Sequence, residues 1–269
     1  MKDVKGKIVV ITGGAMGMGR LLSIKFAQDG ARLVLIDVNK EALDKTAAEF
    51  KKMGTEVHTY ICDITDRKKV YEMAADIHKK IGKIDILVNN AGVVWGSPFV
   101  EADDEKLFKT IDVNVNAVMW MMKAFLPDMY EKKAGHVINL ASAAGLMGVP
   151  NLAAYCASKF AVVGMTEAIR QETKKMGLKD VKFTTVCPSF VATGMFEGVK
   201  PPKMTKWLTP EQMVDKIYAA FKKDAPLIRE PLMVKFVPLL KSILPVNSFD
   251  RISHLLGTSR SMEKWVGRK

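Results

Sequence analysis

Apolar residues along the chain fall into two alternating regimes. Short runs rich in β-branched residues recur at KIVVIT (7–12), ARLVLID ending at Asp37, EVHTYIC, KIDILV, HVINLAS and VKFTTVC. Each is too short for a stable helix and suits a strand buried on both faces of a parallel sheet. Between these runs lie longer segments in which apolar residues return at helical spacing. They are RLLSIKFAQDG after Gly19, NKEALDKTAAEFKKMG from Asn39, residues 66–81, about 104–131, and a helix reaching 177 that begins if Asn151 serves as its cap. Strand and helix alternating in this order predicts an α/β fold, a doubly wound parallel sheet with helices on both faces.

No Gly/Ser-rich or Pro-rich linker divides the 269 residues, so 1–269 is expected to form a single domain. Two segments break the regularity. Residues 194–207, with Gly198, Pro201 and Pro202 and no periodicity, predict a loop able to close over a substrate. Residues 226–269 predict a basic, apolar, helical C-terminal extension, in which Pro231, Pro238 and Pro245 divide PLMVKFVPLLKSILP (231–245) into short helices. That stretch reads either as a subunit interface or pocket cover, or as an amphipathic surface resting on anionic membrane.

Composition narrows the class. With 48% hydrophobic and 26% charged residues the chain is globular. The opening MKDVKGKIVVITGG lacks the length and cleavage site of a signal peptide, and no run of about 18 apolar residues occurs; an intracellular, cytoplasmic, non-spanning protein is expected. The net charge is +12, with 14 Lys/Arg against 6 Asp/Glu from residue 198 onward, so the excess sits largely in the last quarter. Its lysines are scattered without interleaved aromatics, which argues against nucleic-acid binding. Cys62, Cys156 and Cys187 show no metal-ligand spacing, so reduced thiols and no metal are expected. Cys156 beside Tyr155 reads as a small buried residue rather than a nucleophile.

The candidate chemistry lies at strand ends. Thr12-Gly13-Gly14-Ala15-Met16-Gly17-Met18-Gly19 joins the first strand to the first helix. Glycines there let backbone approach a pyrophosphate, and the helix start offers free N–H groups to it. The spacing, G-x-x-x-G-x-G, departs from the standard dinucleotide fingerprint. Asp37 closes the second strand eighteen residues beyond Gly19, where a carboxylate accepts from both ribose hydroxyls of an adenosine and repels a 2′-phosphate; this favours NAD over NADP. The alternative is a solvated carboxylate capping the next helix, and Lys40 is close enough to soften the discrimination. Asp63-Ile64 stands where a strand end touches an adenine. In Asn89-Asn90-Ala91-Gly92 the amides tie adjacent loops together, Asn89 in a structural role. Asn114 inside a predicted helix needs a reason, and a water held for proton relay is one. Tyr155 and Lys159 lie one turn apart on one helical face. Such a pair ordinarily lines a half-buried surface; beside a nicotinamide, however, a fixed ammonium makes a phenol with an ordinary pKa of about 10 usable as a proton carrier. Ser142 at the end of the preceding strand would hold the same substrate oxygen. Pro188-Ser-Phe-Val191-Ala-Thr193 delivers Val191 and Thr193 toward the nicotinamide.

Together these motifs, T-G-x-x-x-G-x-G at 12–19, Asp63, N-N-A-G at 89–92, Asn114, Ser142, Y-x-x-x-K at 155–159, and Pro188 with Thr193, resemble the short-chain dehydrogenase/reductase family over about residues 4–225. The resemblance implies a Rossmann sheet, Tyr155 as general acid/base, Ser142 orienting the substrate oxygen, Lys159 holding the nicotinamide ribose and lowering the Tyr155 pKa, Asn114 in the water relay, and a homodimer or homotetramer. Ser189 departs from the family's usual glycine and leaves that loop's backbone angle open. A narrower resemblance, carried by GRLLSIKFA, ILVNNAGVVWGSPF, KAFLPDM and GHVINLASAAGLMGVPNLAAYCASKFAVVG, is to 17β-hydroxysteroid dehydrogenases of types 11 and 13 and to retinol dehydrogenases. Their N-terminal anchor has no counterpart here, which implies a soluble, bacterial-type member. The expected activity is reversible hydride transfer between NAD(H) and a lipophilic secondary or allylic alcohol or ketone, such as a hydroxysteroid or retinoid. The rivals are a 3-oxoacyl carrier-protein reductase and a non-catalytic NAD-sensing protein on the same fold.

Overall fold

The computed structural model describes residues 3–203 and 205–267; Met204, within the expected substrate loop, lies outside the described residues. Strands β1 (Ile8–Thr12), β2 (Arg32–Asp37), β3 (Val57–Ile61), β4 (Ile86–Asn89), β5 (Ala134–Leu140), β6 (Asp180–Pro188) and β7 (Leu227–Glu230) form one seven-stranded sheet in the order β3-β2-β1-β4-β5-β6-β7. All its ladders are parallel. The helices between them, α1 (Gly17–Gln28), α2 (Lys40–Lys52), α3 (Arg67–Lys80), α4 (Asp104–Ile111), α5 (Ala117–Lys132), α6 (Ala153–Lys175) and α7 (Pro210–Lys222), cover both faces. Two apolar clusters result, one on each side of the sheet. Val10, Leu87 and Val137 point into one, and their neighbours Val9, Ile86 and Ile138 into the other, as the alternation of side chains along a strand requires. Chain order reverses between β1 and β4, which places a crevice beyond their carboxyl ends, where ligands of such sheets bind.

Four expectations change. The helix expected at about 104–131 is interrupted by a π turn at Asp112–Asn116, which separates α4 from α5 and buries Asn114; periodicity could not reveal one inserted residue per turn. Asn151 does not cap α6. It sits in a turn at φ 66, and the helix starts at Ala153. LIRE forms β7, so the expected extension begins inside the sheet; its length and charged end hid it. Beyond it, α8 (Leu232–Ile243) runs through Pro238, because losing a single N–H donor weakens one turn without breaking a helix held on one side. The last helix, α9 (Val246–Leu255), follows Pro245. No helix among the described residues is long and apolar enough to cross a membrane.

Candidate active site

The loops after β1 and β4 are stitched together by Asn90. Its side-chain amide donates to the carbonyls of Thr12 and Gly13 at 3.0 and 3.1 Å. The Thr12 hydroxyl accepts in return from the backbone N–H of Asn90 and of Ala91. Such closeness excludes side chains: a Cβ on Gly13 would lie 2.9 Å from the Asn90 amide nitrogen, and one on Gly19 would lie 2.1 Å from the Gly13 carbonyl oxygen. Gly17 is different. Its φ is +54 and a Cβ there would meet nothing within 4 Å, so it faces open space at the start of α1. That helix has neither a side-chain cap nor an acidic residue in its first turn, a helix start whose N–H groups suit an anion.

This space is a cavity of about 640 Å³, within the usual range for small-molecule sites. The predicted residues Thr12, Gly13, Gly17, Met18, Asp37, Asp63, Ile64, Asn90, Ala91, Gly92, Ser142, Tyr155, Lys159, Pro188, Val191 and Thr193 all line it. Gly19 and Asn114 do not; the first packs under the turn and the second behind the wall. Sequence reasoning missed Val38, Cys62 and Lys109, which also line it. The first two directly adjoin Asp37 and Asp63 at strand ends and were findable by position, whereas Lys109 carried no signal.

Asp37 ends β2 with its carboxylate accepting from the backbone N–H of Ala15 at 3.2 Å and of Asn39 at 3.0 Å. Asn39, not Asp37, caps α2 through its side chain. Lys40 is drawn away into a 2.6 Å pair with Asp44, and Arg20 pairs with Glu49. Asp63 accepts from the N–H and hydroxyl of Thr65, fixing the turn after β3 in the manner of an Asx turn.

At the far end of the cavity Ser142 stands just past β5, its hydroxyl accepting from the Ala144 N–H at 3.1 Å. Tyr155 and Lys159 project from the first turns of α6, both nearly fully buried. Lys159 donates to the Leu140 carbonyl at 2.8 Å and its ammonium lies 5.5 Å from the Tyr155 ring centroid. Burial lowers Lys159 to about 8. Burial also pushes the Tyr155 hydroxyl well above its ordinary value, an effect that the Ser142 hydroxyl offsets only in part. A phenol enclosed by apolar groups holds its proton.

Asn114 braces the wall. Its carbonyl oxygen accepts from the Val93 N–H, and its amide donates to the Val93 carbonyl and the Ser158 hydroxyl, at 2.9, 2.9 and 3.1 Å. Both amide protons are thus given to the protein, which fixes the side chain in the wall. Asn89 lies beneath the site in a buried chain to Asn139 and on to Thr166. The Cys156 thiol accepts from the Val149 N–H at 3.3 Å, and burial raises its pKa, which makes it inert. Ser189 is not among the residues with positive φ; its N–H reaches the Glu230 carbonyl at 2.7 Å, so serine fits there without strain. Among the described residues no cluster of His, Cys, Asp or Glu could hold a metal.

A second cavity, about 110 Å³, continues from Ser142 and Tyr155. Its walls are apolar: Leu152, Phe190 and Phe196 on one side, and Val234, Val237, Leu240 and Ile252 of α8 and α9 on the other. The expected substrate loop is pinned here to the C-terminal segment. Lys200 N–H donates to Ser261, Lys203 N–H to Leu256, and the Trp265 indole to Met195.

A crevice over the glycine turn and Asp37 that meets an apolar pocket at a buried serine and tyrosine is the arrangement of a hydride-transfer enzyme acting on hydroxyl or carbonyl carbon. The family model for short chain dehydrogenases matches residues 7–203, and the chain belongs to that family. It is 44% identical to mouse (Mus musculus) epidermal retinol dehydrogenase 2 over 271 residues, covering 100% of this chain and 88% of that one. It is also 41% identical to human (Homo sapiens) estradiol 17-beta-dehydrogenase 11 over 244 residues, covering 91% and 81%. A solved short chain dehydrogenase/reductase from Burkholderia phymatum in complex with NAD superposes with a TM-score of 0.82 at 29% identity, over 90% of this chain and 95% of that one. The protein is therefore an oxidoreductase of the nicotinamide-dependent kind.

Proposed function

We propose that the protein interconverts a lipophilic secondary or allylic alcohol, of the hydroxysteroid or retinoid kind, and its carbonyl compound, with NAD(H) as the partner. One observation carries this reading: Ser142 and Tyr155 line both the large cavity over the glycine turn and the small apolar one, so an alcohol with a greasy body reaches them from the opposite side to the cofactor. The glycine turn and the start of α1 would hold the pyrophosphate, Asp37 the adenosine ribose, and Lys159 the nicotinamide ribose. When bound, the cofactor supplies the hydride acceptor or donor. Ser142 holds the substrate oxygen, and Tyr155 gives a proton to a carbonyl oxygen or takes one from a hydroxyl. The test is a screen of hydroxysteroids, retinoids and long-chain alcohols with NAD⁺, followed by absorbance of the reduced cofactor. No turnover of any of them, with NADH still bound, would remove the substrate class.

Preference for NAD over NADP rests on Asp37, with Lys40 and Arg20 paired to Asp44 and Glu49. Asp37→Ser is expected to weaken NADH by roughly 10- to 100-fold, the worth of hydrogen bonds to a charged acceptor, and to improve NADPH. Titration of both cofactors by fluorescence checks it; an unchanged ratio removes the assignment. The same carboxylate disfavours a carrier-protein reductase, if such enzymes here require NADPH.

We further infer a cytoplasmic homodimer or homotetramer. Phe108 on α4 and Phe160 on the adjoining α6 are large exposed apolar side chains, a surface suited to a second copy. Sedimentation is expected to give a multiple of the 29.8 kDa chain mass, and Phe108→Glu with Phe160→Glu to shift it to that mass. A wild-type monomer at micromolar concentration would refute the inference.

A further inference from the structure

Helix α8 carries two apolar stripes. Val234, Val237 and Leu240 line the substrate cavity. Leu232, Phe236, Leu239 and Ile243, spaced i, i+4, i+7 and i+11, form the other stripe and are 61%, 45%, 54% and 68% exposed. On α9, Phe249 and Ile252 line the same cavity, and Val246 and Leu255, at its two ends, are 73% and 71% exposed. A helix apolar on both sides is expected to be covered on both sides, and a contiguous exposed apolar surface of this kind marks an interaction site.

Charge says what covers it. From residue 198 onward the chain carries 14 Lys/Arg against 6 Asp/Glu, and among the described residues none of Lys200, Lys203, Lys206, Arg251, Arg260 and Lys264 forms an ion pair. These cations lie on α9 and on the two segments pinned to each other beside it, through Lys200 to Ser261 and Lys203 to Leu256. Lys203 itself lines the cavity. Unpaired cations beside an uncovered apolar stripe complement an anionic lipid surface: the apolar residues enter the acyl boundary and the cations meet the headgroups.

We propose that the α8–α9 hairpin docks on an anionic lipid bilayer, with the substrate cavity directly behind it, so that the alcohol passes from the bilayer to Tyr155 across one helical layer. The docking stands on the surface alone; the delivery step rests on the proposed alcohol dehydrogenase activity. The full-length protein is mixed with vesicles of equal parts phosphatidylcholine and phosphatidylserine, or of phosphatidylcholine alone, and floated on a density gradient. Flotation is expected with the anionic vesicles only and is weakened by salt. Leu239→Glu with Ile243→Glu, and separately Lys200→Gln with Lys206→Gln and Lys264→Gln, are each expected to reduce it by roughly tenfold or more. None of these side chains lines either cavity. Turnover of a short water-soluble alcohol is expected to stay within about twofold of wild type, which also reports folding, whereas kcat/KM for a long-chain alcohol dissolved in the anionic vesicles falls by roughly tenfold.

No flotation of the wild-type protein, or variants that float as it does, overturns the docking. An oligomer dissolved by Leu239→Glu with Ile243→Glu, with flotation unchanged, assigns the stripe to a second copy instead. Flotation with no turnover of either alcohol overturns delivery together with the dehydrogenase reading, whereas turnover of the soluble alcohol without flotation overturns docking alone.

Discussion

Tyr155→Phe is expected to lower kcat by roughly 10²- to 10⁴-fold, the usual worth of a positioned general acid/base, while NADH binds nearly as before. The reason is geometric. Phenylalanine keeps the ring that packs edge-on against Phe196 at a centroid distance of 6.0 Å, so the pocket wall survives and only the proton carrier goes. The wild-type pH profile supplies a second reading of the same group. Because burial raises the Tyr155 hydroxyl, the phenol is protonated at neutral pH. Carbonyl reduction, which needs the proton, is expected to be flat there. Alcohol oxidation, which needs the phenolate, is expected to rise by up to about tenfold per pH unit until Lys159, lowered to about 8, begins to lose its charge. Stopped-flow turnover of both directions between pH 6 and 9 checks this. Oxidation independent of pH, or a Tyr155→Phe variant with retained turnover, would show that another group moves the proton.

Gly19→Ala is the second large effect. One added methyl group would stand 2.1 Å from the Gly13 carbonyl oxygen and 2.6 Å from the Asn90 amide nitrogen. Neither can yield cheaply: the first is backbone, and the second is held by the Thr12 and Gly13 carbonyls. The turn has to open, at about 1–3 kcal/mol of stability, and cofactor affinity is expected to fall by roughly 100-fold or more, about 3 kcal/mol. Gly17→Ala gives the contrast. It meets no neighbour, so its cost is the positive φ alone, about 1–2 kcal/mol. Thermal unfolding with and without NADH separates the two; equal losses at both positions would mean that crowding under the turn is not what selects glycine at 19.

Most of the sheet and most of the cofactor cavity were legible because both depend on local signals. β-branched runs report buried strands, and a strand's last residue is bound to sit at the sheet's carboxyl edge. Asp37, which ends β2, and Asp63 and Ser142, each two residues past a strand end, were found that way. The misses have a common physical form. β7 is short and half polar, the π turn at Asp112–Asn116 changes one hydrogen-bond step within an otherwise unbroken periodicity, and Asn151 adopts a positive φ where a cap was expected; each is settled by tertiary contacts. The spacing of Tyr155 to Lys159 is written in the sequence but the depth of burial is not, and no pattern in the sequence names Val93 as the partner of Asn114.

The substrate cavity's outer wall comes from α8 and α9, encoded after all seven strands. The residues lining the larger cavity all lie at or before Phe196, whereas the greasy pocket takes one wall from α8 and α9. One wall of that pocket is thus encoded far from the proton carrier, while the other, with Leu152, Phe190 and Phe196, is encoded beside it. Exchange of the terminal hairpin between relatives is a route to a new alcohol that leaves the proton carrier and its nucleotide untouched.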